Sequence, residues 1–319
     1  MLHPVARRGQ PSPYKGACSR TPDTGMLIAM AYQTASPALI RSQAPRDHIV
    51  DRLIAERAPR LAASAAWPLL RPLFHGLLNY AKARRLADAI APMGGRDALA
   101  FVSELMAVQV EIRGLERVPR AGRAIAVVNH PTGIADAVAV FDALKAVRPD
   151  LTFYANADAH RVARGFDEVA IPVEWREERR TRQGARLALI ATRAAMEAER
   201  LLVVFPAGRI SRRRGGILAD LAWAGSAFSV ARKCQATILP MHLAGPTSAL
   251  FHFFDGFSGE LRDITLFHEL LNKRGKTFRL TIGAAVPPER LPGDADAAAR
   301  AVKAYVETVL PGDPGRSFS

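Results

Sequence analysis

The residues best placed to do chemistry in this 319-residue chain are a histidine and an aspartate six positions apart, His130 and Asp136. They lie in AIAVVNHPTGIADAVAVFDAL, residues 124–144. A histidine titrates near neutrality and can take a proton from a hydroxyl. A carboxylate beside it holds the ring in one tautomer and stabilises the cation that forms. A plainer explanation exists, in which a His ends a strand and an Asp caps a helix N-terminus. The pair alone does not choose between them. Its surroundings are tighter than two caps need: Asn129 precedes the His, and Pro131, Thr132 and Gly133 form a compact turn.

Two elements must position this pair. The apolar run Ala124–Val128 predicts a strand, and the apolar spacing from about Asp136 predicts a helix. At the top of a strand, His130 faces the crevice where open α/β sheets bind ligands. A second strand, RLLVVFP (200–206), stops at Pro206 and runs into AGRIS. There Gly208 permits close backbone approach to a ligand, and Arg209 can fork onto phosphate or carboxylate oxygens. A surface turn with a solvated Arg fits the same residues. Arg212, Arg213 and Arg214 follow in what reads as a loop over 207–216. They suit solvent or lipid headgroups better than catalysis.

The rest of the chain reads as alternating strands and helices. Strands are predicted at 108–113, 151–159, 169–175, 236–245 and 278–286, and helices at 97–108, 184–198, 227–234 and 297–310. This βα alternation from about residue 108 argues for a mostly parallel sheet flanked by helices, an α/β class fold. His242 on the 236–245 strand reads as a core or supporting residue, and His252 and His268 as structural. Residues 246–277 fit the alternation poorly, and core packing is the better use for most rings of their Phe cluster.

Upstream, residues 64–92 mix Trp67, Leu69, Leu70, Leu73, Phe74, Leu77, Leu78 and Tyr80 with Arg71, Lys82, Arg84 and Arg85. Apolar faces edged by basic residues suit helices lying in a membrane interface. Packing on the core with a basic outer face is the competing explanation. Pro68 and Pro72 predict a break in this segment. The formal net charge of +14 favours an anionic membrane surface or nucleic acid as a partner. Hydrophobic residues make up 49% and charged residues 23%, as a packed core requires. Residues 1–45, rich in Pro, Ser, Gly, Thr and Arg, read as a disordered extension. The N-terminus lacks the apolar core of a signal peptide, and no apolar window reaches transmembrane length. Two cysteines, Cys18 and Cys234, argue against a disulfide scaffold or a thiolate metal site. A G-x-S-x-G elbow, an H-E-x-x-H pair, a P-loop and dedicated nucleic-acid motifs are missing.

The order of these pieces carries more than any one of them: basic amphipathic helices, strand–N-H-P-x-G-x-x-D–helix, strand–FPAGRIS, then the strand LPMH. In that order, over roughly residues 105–290, the chain resembles the glycerophospholipid (lysophosphatidate-type) acyltransferases. It is most similar to their bacterial hemolysin-like and lyso-ornithine-lipid branch. The resemblance implies an α/β acyltransferase domain over 105–319, preceded by membrane-interface helices over 46–104. It implies His130 as the base and Asp136 as its partner. It also implies substrate contacts from Asn129, Thr132 and Gly133 and from Pro206, Gly208, Arg209 and Ser211. Two departures stand out. Five residues separate His130 from Asp136 where the family more often has four. Ala207 and Arg209 occupy the usual Glu and Thr positions of F-P-E-G-T-R-S, which leaves room for an acceptor other than a glycerophosphate. The expected reaction is O-acylation of a lysolipid, such as lysophosphatidate or lyso-ornithine lipid, at the cytoplasmic face of the inner membrane. Acyl-CoA or acyl-carrier protein serves as co-substrate, with no metal, no bound cofactor and no specific nucleic acid. A non-catalytic lipid-binding protein on the same fold is the rival reading.

Overall fold

In the computed structural model, residues 47–176 and 179–318 are described. The expected disordered extension lies outside them. Seven strands form one sheet in the order β1-β9-β8-β2-β5-β3-β4. They are β1 (Gln109–Arg113), β2 (Ala124–Val128), β3 (Thr152–Asn156), β4 (Ala170–Val173), β5 (Leu201–Val204), β8 (Thr237–Ala244) and β9 (Thr277–Ile282). All neighbours are parallel except β8 and β9, which pair antiparallel.

β2 sits at the centre and is fully buried. Its alternate side chains enter different cores: Ala124, Ala126 and Val128 face one cluster, Ile125 and Val127 the other. Burial on both faces is why the strand is one unbroken apolar run. The helix after β2, Ile134–Leu144, packs in the first cluster, and the helix Ser226–Cys234, which follows β5, packs in the second. The two connections therefore leave the sheet on opposite faces, which makes the C-terminal ends of β2 and β5 a topological switch point. Such a switch point is where open α/β sheets place ligands.

Three expectations need correction. The arginine-rich stretch is no simple loop: β6 (Arg212–Arg214) pairs antiparallel with β7 (Ile217–Ala219). The turn is Gly215–Gly216, both with positive φ (57° and 83°), as a two-residue hairpin requires. In residues 246–277, three short helices occur, and only half of the Phe cluster is core. Phe251 and Phe254 are buried, whereas Phe253 and Phe257 are exposed. Finally, the prolines do not break the N-terminal segment. Pro68 sits in the first helical turn, where its missing N–H costs nothing, and Trp67–Leu77 stays helical through Pro72. The break falls instead at Asn79, left-handed at φ 55°, before the helix Tyr80–Ile90.

One face of these N-terminal helices packs on the protein, and another stays exposed. Trp67, Phe74 and Leu78 pack with Val50, Ile54 and Ile264. The opposite face leaves Leu69, Leu73 and Leu77 exposed at helical i, i+4 spacing. Among the described residues, no helix is long and apolar enough to cross a membrane.

Candidate active site

β2 ends at Val128, opposite Met241 of β8. The next link between the two strands is made by a side chain: Asn129 Nδ2 donates to Leu243 O (2.9 Å), and Leu243 N donates to Asn129 Oδ1 (2.6 Å). This pins the strand end from which His130 projects. The His130 ring is 18% exposed and stacks on Phe205, which follows β5, at 4.4 Å between centroids.

Asp136 lies in the first turn of the helix Ile134–Leu144, and its side chain is wholly buried. Oδ2 accepts from His130 Nδ1 at 2.8 Å, from Thr132 N at 2.9 Å and from Gly133 N at 3.0 Å. Oδ1 accepts from the Thr132 hydroxyl. One carboxylate thus caps the helix, through the N–H of the N-cap Gly133, and orients the histidine as well. The side chain that caps the helix is the one that bonds the histidine ring. With Nδ1–H donated to Asp136, the unprotonated nitrogen is Nε2, the atom that can accept a proton. No described residue bonds it.

The five-residue spacing closes through Gly133, at φ 92° and ψ −135°. A Cβ there would lie 2.8 Å from Ile210 Cδ1. Gly133→Ala is therefore expected to cost about 1–3 kcal/mol of stability and to slow turnover by disturbing the Asp136 contacts. An unchanged melting temperature and rate would remove the strain argument. The second loop turns just as tightly: Gly208 N donates to Phe205 O (2.9 Å), and Gly208 has φ 61°. The Trp175 ring packs so close that a Cβ at Gly208 would sit 2.4 Å from Cε3. Ser211 N donates to His130 O at 2.8 Å and ties the two loops together.

Asn129, Thr132 and Ser211, expected as substrate contacts, have internal partners in this structure. All three are buried, with their side-chain polar groups turned inward to Leu243, Asp136 and Asp220 respectively. They position the site. Gly133 and Pro206 are buried as well and shape the two turns, while Gly208 is half-buried and Arg209 exposed. His242 lies half-buried on β8, where desolvation pushes its pKa down against the pull of Glu307.

Asp220 was not singled out by sequence reasoning. It accepts from the His130 main-chain N–H, the Ser211 hydroxyl (2.5 Å) and the Trp223 indole N–H (2.8 Å). Burial raises its carboxyl pKa, outweighing the downward pull of these three partners. The one available signal was an Asp-x-x-Trp spacing shortly after the Gly-Gly turn.

The Acyltransferase family profile matches residues 109–244, which span β1 to β8 and contain both loops. A lyso-glycine lipid O-acyltransferase of Phocaeicola vulgatus is 30% identical over 200 residues, covering 60% of this chain and 70% of its own. The chain belongs to the lysophospholipid acyltransferase family. A second lyso-glycine lipid O-acyltransferase, from Bacteroides thetaiotaomicron, is 27% identical over 199 residues, covering 60% of this chain and 71% of its own. Among solved structures, the 1-acyl-sn-glycerophosphate acyltransferase PlsC of Thermotoga maritima aligns with 92% of this chain and 98% of its own, at 13% identity and a TM-score of 0.43. The matched region of this lysolipid acyltransferase contains His130, Asp136 and the FPAGRIS loop.

Proposed function

We propose that the protein transfers a fatty acyl group from acyl-CoA or acyl-carrier protein to the hydroxyl of an amino-acid-containing lysolipid. The reaction takes place at the cytoplasmic face of the inner membrane, with the protein held peripherally. The observation that carries the chemistry is the His130–Asp136 bond made by a wholly buried carboxylate. His130 Nε2 takes the proton of the acceptor hydroxyl as its oxygen attacks the thioester carbonyl. The tetrahedral intermediate collapses, the C–S bond breaks, and the thiolate recovers the proton from the imidazolium. Asp136 keeps the ring in the required tautomer and balances its charge. Among the described residues, no serine, threonine or cysteine side chain bonds the His130 ring, which supports direct transfer over an acyl-enzyme. A thiolate leaves readily, so base catalysis of about 10²–10⁴-fold together with positioning suffices.

The acceptor class draws support from the two lyso-glycine lipid O-acyltransferases and from the FPAGRIS loop, with Ala207 and exposed Arg209 where glycerophosphate enzymes usually have Glu and Thr. Arg209 meets the anionic headgroup. The membrane setting draws support from the exposed leucines of the helix Trp67–Leu77 and the net charge of +14. Thiol release is measured with lyso-ornithine lipid, lyso-glycine lipid and lysophosphatidate, each with acyl-CoA and acyl-carrier protein. Turnover is expected with an amino-acid lysolipid. Turnover confined to lysophosphatidate would overturn the acceptor class, and no thiol release with any pair would overturn the reading as a whole.

A further inference from the structure

The Gly-Gly hairpin returns the chain to His130 with a second carboxylate, Asp220, which follows β7 and is 7% exposed. Its two oxygens stand 3.1 and 3.2 Å from the His130 main-chain nitrogen. Oδ1 also accepts from Ser211 Oγ at 2.5 Å, and Oδ2 from Trp223 Nε1 at 2.8 Å. Ser211 donates its own N–H to His130 O at 2.8 Å. Both main-chain polar groups of His130 are therefore held, one by Asp220 directly and the other by the serine that Asp220 holds. Asp220 is anchored in turn: its main-chain N–H donates to Glu307 Oε1 at 2.7 Å, from the closing helical segment.

The groups converging on this side chain are an amide N–H, an indole N–H and a hydroxyl. An ionised carboxylate, which only accepts, can satisfy all three at once. An asparagine of the same shape would turn an NH₂ group towards one of the donors. Burying an anion is costly, and a hairpin needs no such residue to close. The carboxylate is buried at the main chain of the one residue whose placement the reaction depends on.

We propose that Asp220 is a positioning residue for acyl transfer. Together with Ser211 it fixes the His130 main chain, while Asp136 fixes the ring, so that Nε2 points at the acceptor hydroxyl. The inference rests on the reading of His130 as the base. Misplacing a catalytic group by about 1 Å costs on the order of 10²-fold in rate, and supporting residues carry effects of about 10–100-fold.

The test is Asp220→Asn, with Ser211→Ala as the milder variant and His130→Ala alongside. Each is assayed by thiol release, with rates expressed per folded molecule from near-UV circular dichroism and a thermal melt. For Asp220→Asn, kcat is expected to fall about 10–100-fold while KM for donor and acceptor stays within about twofold. Ser211→Ala falls less, in the same parameter. A residue that only braced the hairpin would lower the melting temperature and leave kcat per folded molecule alone. Wild-type kcat in folded Asp220→Asn, or a loss carried by KM, overturns the proposal. Should Asp220→Asn fail to fold, Ser211→Ala decides by the same split. Activity retained in His130→Ala sinks the base assignment itself, a result distinct from a silent Asp220→Asn beside an inactive His130→Ala.

Discussion

His130→Ala is expected to abolish acyl transfer, by about 10³-fold or more, while the protein stays folded. The ring is partly exposed at the end of β2, and among the described residues its side-chain bond goes to Asp136, which keeps three further donors when the ring is gone. Little stability should therefore be lost, and a thermal melt close to that of the wild type is the control. Asp136→Asn should also lose about 10²–10⁴-fold, for a different reason. An amide NH₂ would face the main-chain donors of Thr132 and Gly133 or the ring nitrogen, and the tautomer with a free Nε2 would no longer be enforced. Turnover above about one tenth of wild type in either purified, folded variant would sink the general-base mechanism.

The second large effect concerns the membrane. Leu69 is 83% exposed and Leu73 67% exposed, on a helix whose other face is already packed against the protein. Water is a poor environment for such a face, and burying a leucine side chain is worth about 1.5–3 kcal/mol. The double substitution Leu69→Glu with Leu73→Glu is expected to weaken binding to anionic liposomes by about 10²–10⁴-fold, adding charge repulsion to the lost apolar contact. Raising salt should weaken wild-type binding only in part, because the apolar contribution is not screened. Unchanged sedimentation of the double variant with vesicles would refute the interfacial role of this helix.

Much of this molecule was legible in the chain because burial leaves a periodic trace. Ala124–Val128 and Leu201–Val204 are unbroken apolar runs since both of their faces are covered, and their strands fall where such runs predict. Asp136 declares its place by sitting in the first turn of an apolar helix. The loops were harder where the trace is weak. Arg212–Arg214 has no apolar alternation, so the hairpin was signalled only by Gly215–Gly216. Phe253 and Phe257 resemble Phe251 and Phe254 in type, and burial separates them only once the helix Ala249–Asp255 is packed.

The division at the active site has one physical cause. Contacts between near neighbours, such as His130 with Asp136 across six residues, depend on local turn geometry, so the sequence alone determined which residues could meet there, and the structure showed the bond. Contacts between residues far apart in the chain depend on strand order and direction, which periodicity does not carry. Only the tertiary structure placed β5 and β8 on either side of β2 and turned β9 antiparallel against β8. From that arrangement follow the Phe205 ring against His130, the amide of Asn129 on Leu243, and the carboxylate of Asp220 beneath the histidine main chain. The same packing gave the side chains of Asn129, Thr132 and Ser211 partners within the protein, because a buried polar group must find its hydrogen-bond partner there.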